Sequence, residues 1–144
     1  HPPANIQVGE GLQAECVNAL RESSLWDRSA YLITYDEHGG YFDHVPPPQV
    51  DAFGLGIRVP CWVISPYAKP GHIEGTTYEF ASILRFIENN WGLPRLADVN
   101  HEFDTATPVG GDYQAAAPEA TAGPPAPPRD GLEELGDLSE CFDF

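Results

Sequence analysis

The residues with the clearest potential for chemistry lie close together in one short stretch of the chain. Asp36 and Glu37 are adjacent, His38 follows at once and His44 comes six residues later. Adjacent carboxylates repel each other and lose hydration when they are buried, unless a cation neutralises them. Hard divalent cations prefer carboxylate oxygens, and imidazole extends the choice to transition metals. The stretch therefore predicts a divalent metal site with Asp36 and Glu37 as ligands, against the alternative of a solvated acidic turn.

The roles of the two histidines are less sharply defined by the pattern. His38 could orient the metal-binding carboxylates without contacting the metal itself, or it could simply stabilise the turn. Asp43 and His44 precede three consecutive prolines, and we interpret them as residues that shape the loop. Ser65 is followed by Pro66 and lacks the glycine context of a nucleophilic serine, so we interpret it as the end of a strand.

The metal pair must be positioned by the strand that precedes it. Residues 30–35 read Ala-Tyr-Leu-Ile-Thr-Tyr, and such continuous hydrophobicity favours a strand buried on both faces of a parallel sheet. In open α/β sheets, ligands bind beyond the carboxyl ends of the strands, which is where Asp36 would lie. A second strand is predicted over residues 57–65, with Pro60 near its start or at an edge.

Helices are predicted on both sides of these strands. Residues 10–23 place apolar side chains on one helical face. A second helix follows Thr76 and Glu79, which have the spacing of a capping box, and it stops at Gly92 and Pro94. The order helix, strand, loop, strand, helix indicates an α/β layered domain.

Composition divides the chain into three parts and excludes some functions. Residues 1–104 carry the predicted elements, residues 105–130 form a connector rich in proline, alanine and glycine, and residues 131–144 form an acidic tail whose aromatic end is expected to dock on the domain. The net charge is −15, and residues 98–144 hold eleven acidic residues and one basic residue. This charge argues against nucleic acid as a partner. No apolar run is long enough for a transmembrane helix.

The motifs together resemble the bacterial phosphoesterase family that contains non-haemolytic phospholipases C and related acid phosphatases. The resemblance covers roughly residues 1–104, and its central segment is residues 35–48. It also takes in the opening His-Pro, Val-Gly-Glu-Gly at 8–11, Arg-Val-Pro at 58–60, Ile-Ser-Pro-Tyr at 64–67 and Ser-Ile-Leu-Arg-Phe-Ile-Glu at 82–88. It implies an alkaline-phosphatase-like fold, a three-layer α/β/α sandwich, of which this chain would be the C-terminal part.

The resemblance also implies a mechanism. Asp36 and Glu37 match the family's carboxylate pair at a divalent metal, and His1 matches a histidine that contacts the substrate phosphate. The family's Glu-Asn metal motif and its serine or threonine nucleophile would precede His1, and a second histidine of the family is replaced by Gly75. We therefore expect a missing N-terminal half, and a chain that is inactive alone. A phosphate ester or phospholipid is the expected substrate, and an extracytoplasmic location is expected from the resemblance.

Two other interpretations remain open at this point. The chain could be a non-catalytic remnant that binds a metal or phosphate, or it could belong to a related sulfatase-like enzyme. The sulfatase interpretation expects a modifiable cysteine or serine in its own motif, and the sequence shows none. The substrate and the identity of the metal stay undetermined, since calcium, manganese, zinc and iron each tolerate part of this ligand set.

Overall fold

The computed structural model describes residues 3–51, 53–99 and 128–144, which form two compact units. The first unit comprises His1–Glu74 and Glu140–Phe144, and the second comprises Gly75–Ser139. His1 and nearly all of the predicted connector lie outside the described residues.

The first unit opens with helix α1, Ile6–Glu22. Its N-cap is Asn5, whose side-chain oxygen accepts a hydrogen bond from the backbone N–H of Gln7 at 3.0 Å. The helix therefore starts about one turn before the predicted residue 10, because Asn5 satisfies a backbone donor that otherwise has no partner. Tyr31 ties the next strand to α1, since its hydroxyl donates to Gln13 at 2.8 Å.

The sheet of the first unit has two strands, β1 (Tyr31–Thr34) and β2 (Cys61–Ile64). They are antiparallel, with Tyr31 opposite Ile64 and Thr34 opposite Cys61. The prediction of a parallel arrangement for these strands is wrong, because the loop between them leaves and returns at the same end of the sheet.

The strands are also less buried than predicted. Every residue of β1 is half-buried, whereas Cys61 and Trp62 of β2 are exposed, Trp62 by 48%. Continuous hydrophobicity shows that both faces of a strand are suited to burial. Whether they are buried depends on the helices or strands that pack on those faces. The combination of helices with a small sheet is compatible with the predicted α/β class.

The second unit is built on helix α2, Phe80–Trp91. Its capping box is formed by Glu79 and Ser82, with Glu79 accepting from Ala81 N at 2.9 Å and donating its own N–H to Ser82 at 3.1 Å. The predicted box placed Glu79 at the third helical position, whereas Glu79 is itself the N-cap. Gly92 ends the helix as predicted, in the left-handed conformation with φ 62°. A short helix α3, Leu96–Val99, follows.

Residues 128–139 pack against one side of α2, and we call them the C-terminal clasp. Leu135 and Leu138 of the clasp are each only 3% exposed. Arg85 on α2 donates through Nη1 to the carbonyl oxygens of Leu132 and Leu135, both at 2.8 Å. Gly136 N donates to Thr77 O at 3.0 Å. The polar side of α2 is therefore occupied by the clasp.

The apolar side of α2 is exposed. Four large side chains recur along it at spacings of four, three and four residues, which places them on one helical face. They are Phe80 (52% exposed), Leu84 (44%), Ile87 (39%) and Trp91 (65%). We call this set the α2 apolar face. A contiguous apolar surface of this kind is typical of an interaction site.

The last residues of the chain return to the first unit. Phe142 forms an isolated antiparallel bridge with Ala68 and is 5% exposed. Asp143 N donates to Tyr67 O at 2.8 Å, and the ring of Phe144 stacks on Phe142 with 5.2 Å between centroids.

Among the described residues, no helix combines the length and the hydropathy needed to cross a membrane.

Candidate functional site

The candidate site lies on the loop that joins β1 to β2, at the end of the sheet where β1 stops. Thr34, the last residue of β1, pairs with Cys61 and donates its hydroxyl to Pro60 O at 3.1 Å. This contact closes the base of the loop, so the residues just after β1 and those just before β2 emerge side by side. Asp36 and Arg58 therefore belong to the same end of the first unit.

The two candidate metal carboxylates lie in a tight turn. Asp36 accepts a hydrogen bond from Glu37 N at 3.0 Å, and Glu37 accepts from Gly39 N at 2.8 Å. Gly39 and Gly40 have φ of 65° and 79°, a region that glycine enters without the strain felt by other residues. Both carboxylates are exposed, so a ligand can reach them.

His38 and His44 line an open cavity of about 430 Å³ beside this turn. Its remaining lining residues are Tyr35, Tyr41, Phe42, Asp43 and residues 57–60. His38 is half-buried, with Nδ1 3.7 Å from Glu37, whereas the side chain of His44 is 86% exposed and its Nδ1 lies 3.8 Å from Asp43. The cavity thus brings His38 and His44 together, while Asp36 and Glu37 are not among its lining residues.

An ion pair between Asp43 and Arg58 joins the two segments of chain that line the cavity. Asp43 accepts from Arg58 Nε at 2.6 Å and from Arg58 Nη2 at 3.0 Å, a bidentate geometry. It also accepts from Val45 N at 3.0 Å. The hydrogen bonds from Arg58 first, and then that from Val45, lower the pKa of the Asp43 carboxyl to about 2. Asp43 therefore shapes the loop, as the sequence indicated, but its partner was not predicted.

This ion pair makes the loop sensitive to acid. A lowered pKa means that the contribution of Asp43 to stability is fully present above the unfolded value of about 3.9 and is lost as the pH falls toward about 2. In an NMR titration of the side-chain carboxyl carbon, Asp43 should therefore titrate near 2. Replacing Arg58 by glutamine should return that pKa most of the way to the unfolded value.

His44→Ala is the matched control for Arg58→Gln. It removes the other basic side chain beside Asp43, whose influence on the pKa of Asp43 is the weakest of those acting there. The control should leave the pKa of Asp43 near 2. Equal shifts in both variants would contradict the assignment of Arg58 as the dominant partner.

The donor set suits a divalent cation only in part. Asp36 and Glu37 offer the hard oxygen ligands that such ions prefer. Within residues 3–51, 53–99 and 128–144, however, no three side chains of His, Cys, Asp or Glu converge as a ligand cluster. The described residues can thus supply two ligands but not a complete coordination shell, and His1, the predicted phosphate contact, lies outside them.

Comparison with known proteins shows that this loop lies inside a region shared with a known family. The phosphoesterase family profile matches residues 1–94, which contain β1, β2 and the whole loop between them. The chain therefore belongs to the phosphoesterase family, as its motifs predicted. It is 31% identical over 146 aligned positions to phospholipase C A of Mycobacterium tuberculosis, covering 75% of this chain. It is 39% identical over 89 positions to non-specific phospholipase C5 of Arabidopsis thaliana, covering 51% of this chain.

The relatives are much longer than this chain. The matched region is 28% of the mycobacterial protein and 17% of the plant protein. The clasp, at residues 128–139, lies beyond the family match.

Proposed function

We propose that this chain contributes one part of a metal-dependent phosphoric-ester hydrolase with an alkaline-phosphatase-like α/β/α sandwich. The observation that carries the proposal is the family match over residues 1–94, because it spans the strand end, the carboxylate pair and the cavity in one segment. The phospholipase C names of the relatives favour a phospholipid substrate over a small phosphomonoester.

Each candidate residue has a distinct role in this proposal. Asp36 and Glu37 supply two oxygen ligands to a divalent cation at the end of β1. The cation would act as a Lewis acid on a phosphoryl oxygen and lower the pKa of the attacking hydroxyl. His1 donates to the substrate phosphate. His38 orients Glu37, from which its Nδ1 is 3.7 Å away, and His44 presents an exposed imidazole at the mouth of the cavity.

The Asp43–Arg58 pair keeps the cavity in shape rather than taking part in the reaction. A bidentate pair fixes both the distance and the orientation of its two partners. It therefore holds residues 41–44, which include His44, opposite residues 57–60.

The relatives contain a large part that this chain does not match. In this proposal, a polypeptide that corresponds to that part supplies the nucleophile and the remaining metal ligands. That polypeptide would also cover the α2 apolar face, which the described residues leave exposed. The chain alone is then inactive as a hydrolase. An extracytoplasmic location completes the proposal and rests on the family resemblance.

The test joins this chain to the part of the mycobacterial relative that lies outside the matched region. Hydrolysis of phosphatidylcholine vesicles and of p-nitrophenyl phosphate is compared between the joined polypeptide and the 144-residue chain, each with and without EDTA. We expect the joined polypeptide to be active and the 144-residue chain to be inactive. The activity should be lost with EDTA and restored by added divalent metal. Hydrolysis by the 144-residue chain, or activity that survives EDTA, would refute the proposal.

A second candidate is a non-catalytic module that binds a metal or phosphate. The observation that favours it is the incomplete ligand set among the described residues. Under this alternative the joined polypeptide, although folded, would bind metal or phosphate in a calorimetric titration without hydrolysing either ester.

A further inference from the structure

Two buried carboxyl groups meet where α2, α3 and the clasp come together, within the second unit. Glu88 of α2 is 6% exposed and Asp130 of the clasp is 1% exposed. Glu88 Oε1 accepts from Leu96 N at 3.3 Å, and Asp130 Oδ2 accepts from Ala97 N at 3.2 Å. Because these two donors are consecutive backbone amides at the start of α3, they bring the two carboxyl groups side by side.

The other oxygen of each carboxyl group has no donor. Glu88 Oε2 and Asp130 Oδ1 are both buried, and neither has a hydrogen-bond partner among the described residues. Two ionised carboxylates in this position would repel each other and leave two desolvated charges without compensation. A single proton removes one charge and converts one of the two oxygens into a donor for the other.

The neighbouring cations make contacts of their own. On α2, the Nη1 donors of Arg85 are engaged by clasp carbonyl oxygens. On the clasp, Arg129 lies 3.9 Å from Glu79. Arg95, just before α3, favours ionisation of Glu88, but its influence is the weakest of those acting there. Burial, and then the charge of Asp130, dominate and raise the pKa of Glu88. Asp98 on α3 adds a further negative charge to that element.

We propose that Glu88 is protonated and donates that proton to Asp130, and that this hydrogen bond fastens the clasp to α2. The clasp then acts as a pH-sensitive element. A carboxyl group whose pKa is raised by folding stabilises the fold fully below its unfolded pKa, and that contribution is lost as the pH rises through the folded pKa. The clasp is therefore firmly held in acid and loosens as the pH rises. This inference is independent of the hydrolase proposal.

The test follows hydrogen exchange in the 144-residue chain between pH 5 and pH 8, corrected for the intrinsic exchange rate. The reporters are clasp amides that donate within the second unit, those of Leu132, Leu135 and Gly136. We expect their protection factors to fall as the pH rises through the folded pKa of Glu88, because the hydrogen bond that fastens the clasp is lost with the proton. Amides in the interior of α1 serve as the internal reference.

Two variants identify the carboxyl groups responsible. Glu88→Gln and Asp130→Asn each replace one carboxyl with an amide, which donates to the remaining carboxylate at every pH. Either variant should make clasp protection independent of pH. Glu133→Gln, an exposed clasp position with the same chemical change, should keep the pH dependence of the parent.

Three results would overturn the proposal. The first is a parent chain whose clasp protection does not change with pH. The second is a pH dependence that persists in both amide variants. The third is an increase in protection on adding calcium or magnesium at pH 8 that is absent from Glu88→Gln, since the pair would then hold a cation. An infrared band of a protonated carboxyl group at a pH above the ordinary glutamate value of about 4.3, lost in both amide variants, would be direct support.

Discussion

Replacing Asp36 by asparagine should reduce phosphate-ester hydrolysis by about a thousandfold in the joined polypeptide described above. A metal acting as a Lewis acid stabilises the transition state by several kcal/mol, and each 1.4 kcal/mol is worth about a factor of ten in rate. Asparagine keeps the side-chain oxygen that accepts from Glu37 N, so the turn after β1 should persist. The loss should therefore appear in kcat/KM, together with a weaker apparent affinity for the activating metal.

Asp27→Asn is the matched control, because Asp27 is an exposed carboxylate of the same unit that lies before β1, whereas Asp36 lies after it. It should leave both the rate and the metal dependence unchanged. Glu37→Gln should resemble Asp36→Asn, since both carboxylates are assigned to the metal. If Asp36→Asn retained more than a tenth of the parent rate, the carboxylate pair would not be the metal site.

The features that could be predicted from the sequence depend mostly on residues close together in the chain. The position of Asp36 and Glu37 directly after a strand follows from the hydrophobic run before them, and the structure places that strand at Tyr31–Thr34. The end of α2 at Gly92 follows from the freedom of glycine to adopt positive φ. Such signals depend on neighbouring residues, so a single sequence contains them.

The contacts that the sequence did not reveal join distant residues. Asp43 and Arg58 are fifteen residues apart, and Glu88 and Asp130 are forty-two apart, so no helical or strand spacing connects them. The antiparallel pairing of β1 with β2 was missed for a similar reason, because continuous hydrophobicity reports how buried a strand can become and not the direction of its neighbour. The available signals for Arg58 are its place in the Arg-Val-Pro motif at 58–60 and its position two residues before Pro60, near the start of the predicted strand.

The C-terminal clasp accounts for an unusual feature of α2, which turns its polar side toward its own chain and its apolar side outward. Ser82 and Glu88 are buried on α2, whereas Phe80 and Trp91 are more than half exposed. A helix normally buries its apolar face, because that burial supplies most of its stability. Here polar contacts with the clasp must contribute a larger share, which makes Arg85 the residue to change.

Replacing Arg85 by leucine should destabilise the second unit by about 3 kcal/mol. Hydrogen bonds from a charged donor contribute roughly 1.5–3 kcal/mol each, and Arg85 makes two of them to clasp carbonyl oxygens at 2.8 Å. The variant also removes a buried Nε that has no partner among the described residues, and this gain offsets part of the loss. Urea-induced unfolding followed by circular dichroism measures the change.

Arg85→Lys and Arg28→Leu separate the hydrogen bonds from other effects of the change. Lysine keeps the charge but offers a single nitrogen at a different reach, so Arg85→Lys should recover less than half of the lost stability. Arg28 is exposed in the first unit, and its replacement by leucine should cost less than about 0.5 kcal/mol. Hydrogen exchange should locate the damage of Arg85→Leu in residues 128–139 and α2. If Arg85→Leu were no more destabilising than Arg28→Leu, α2 would not depend on the clasp, and its stability would have to come from whatever covers the α2 apolar face.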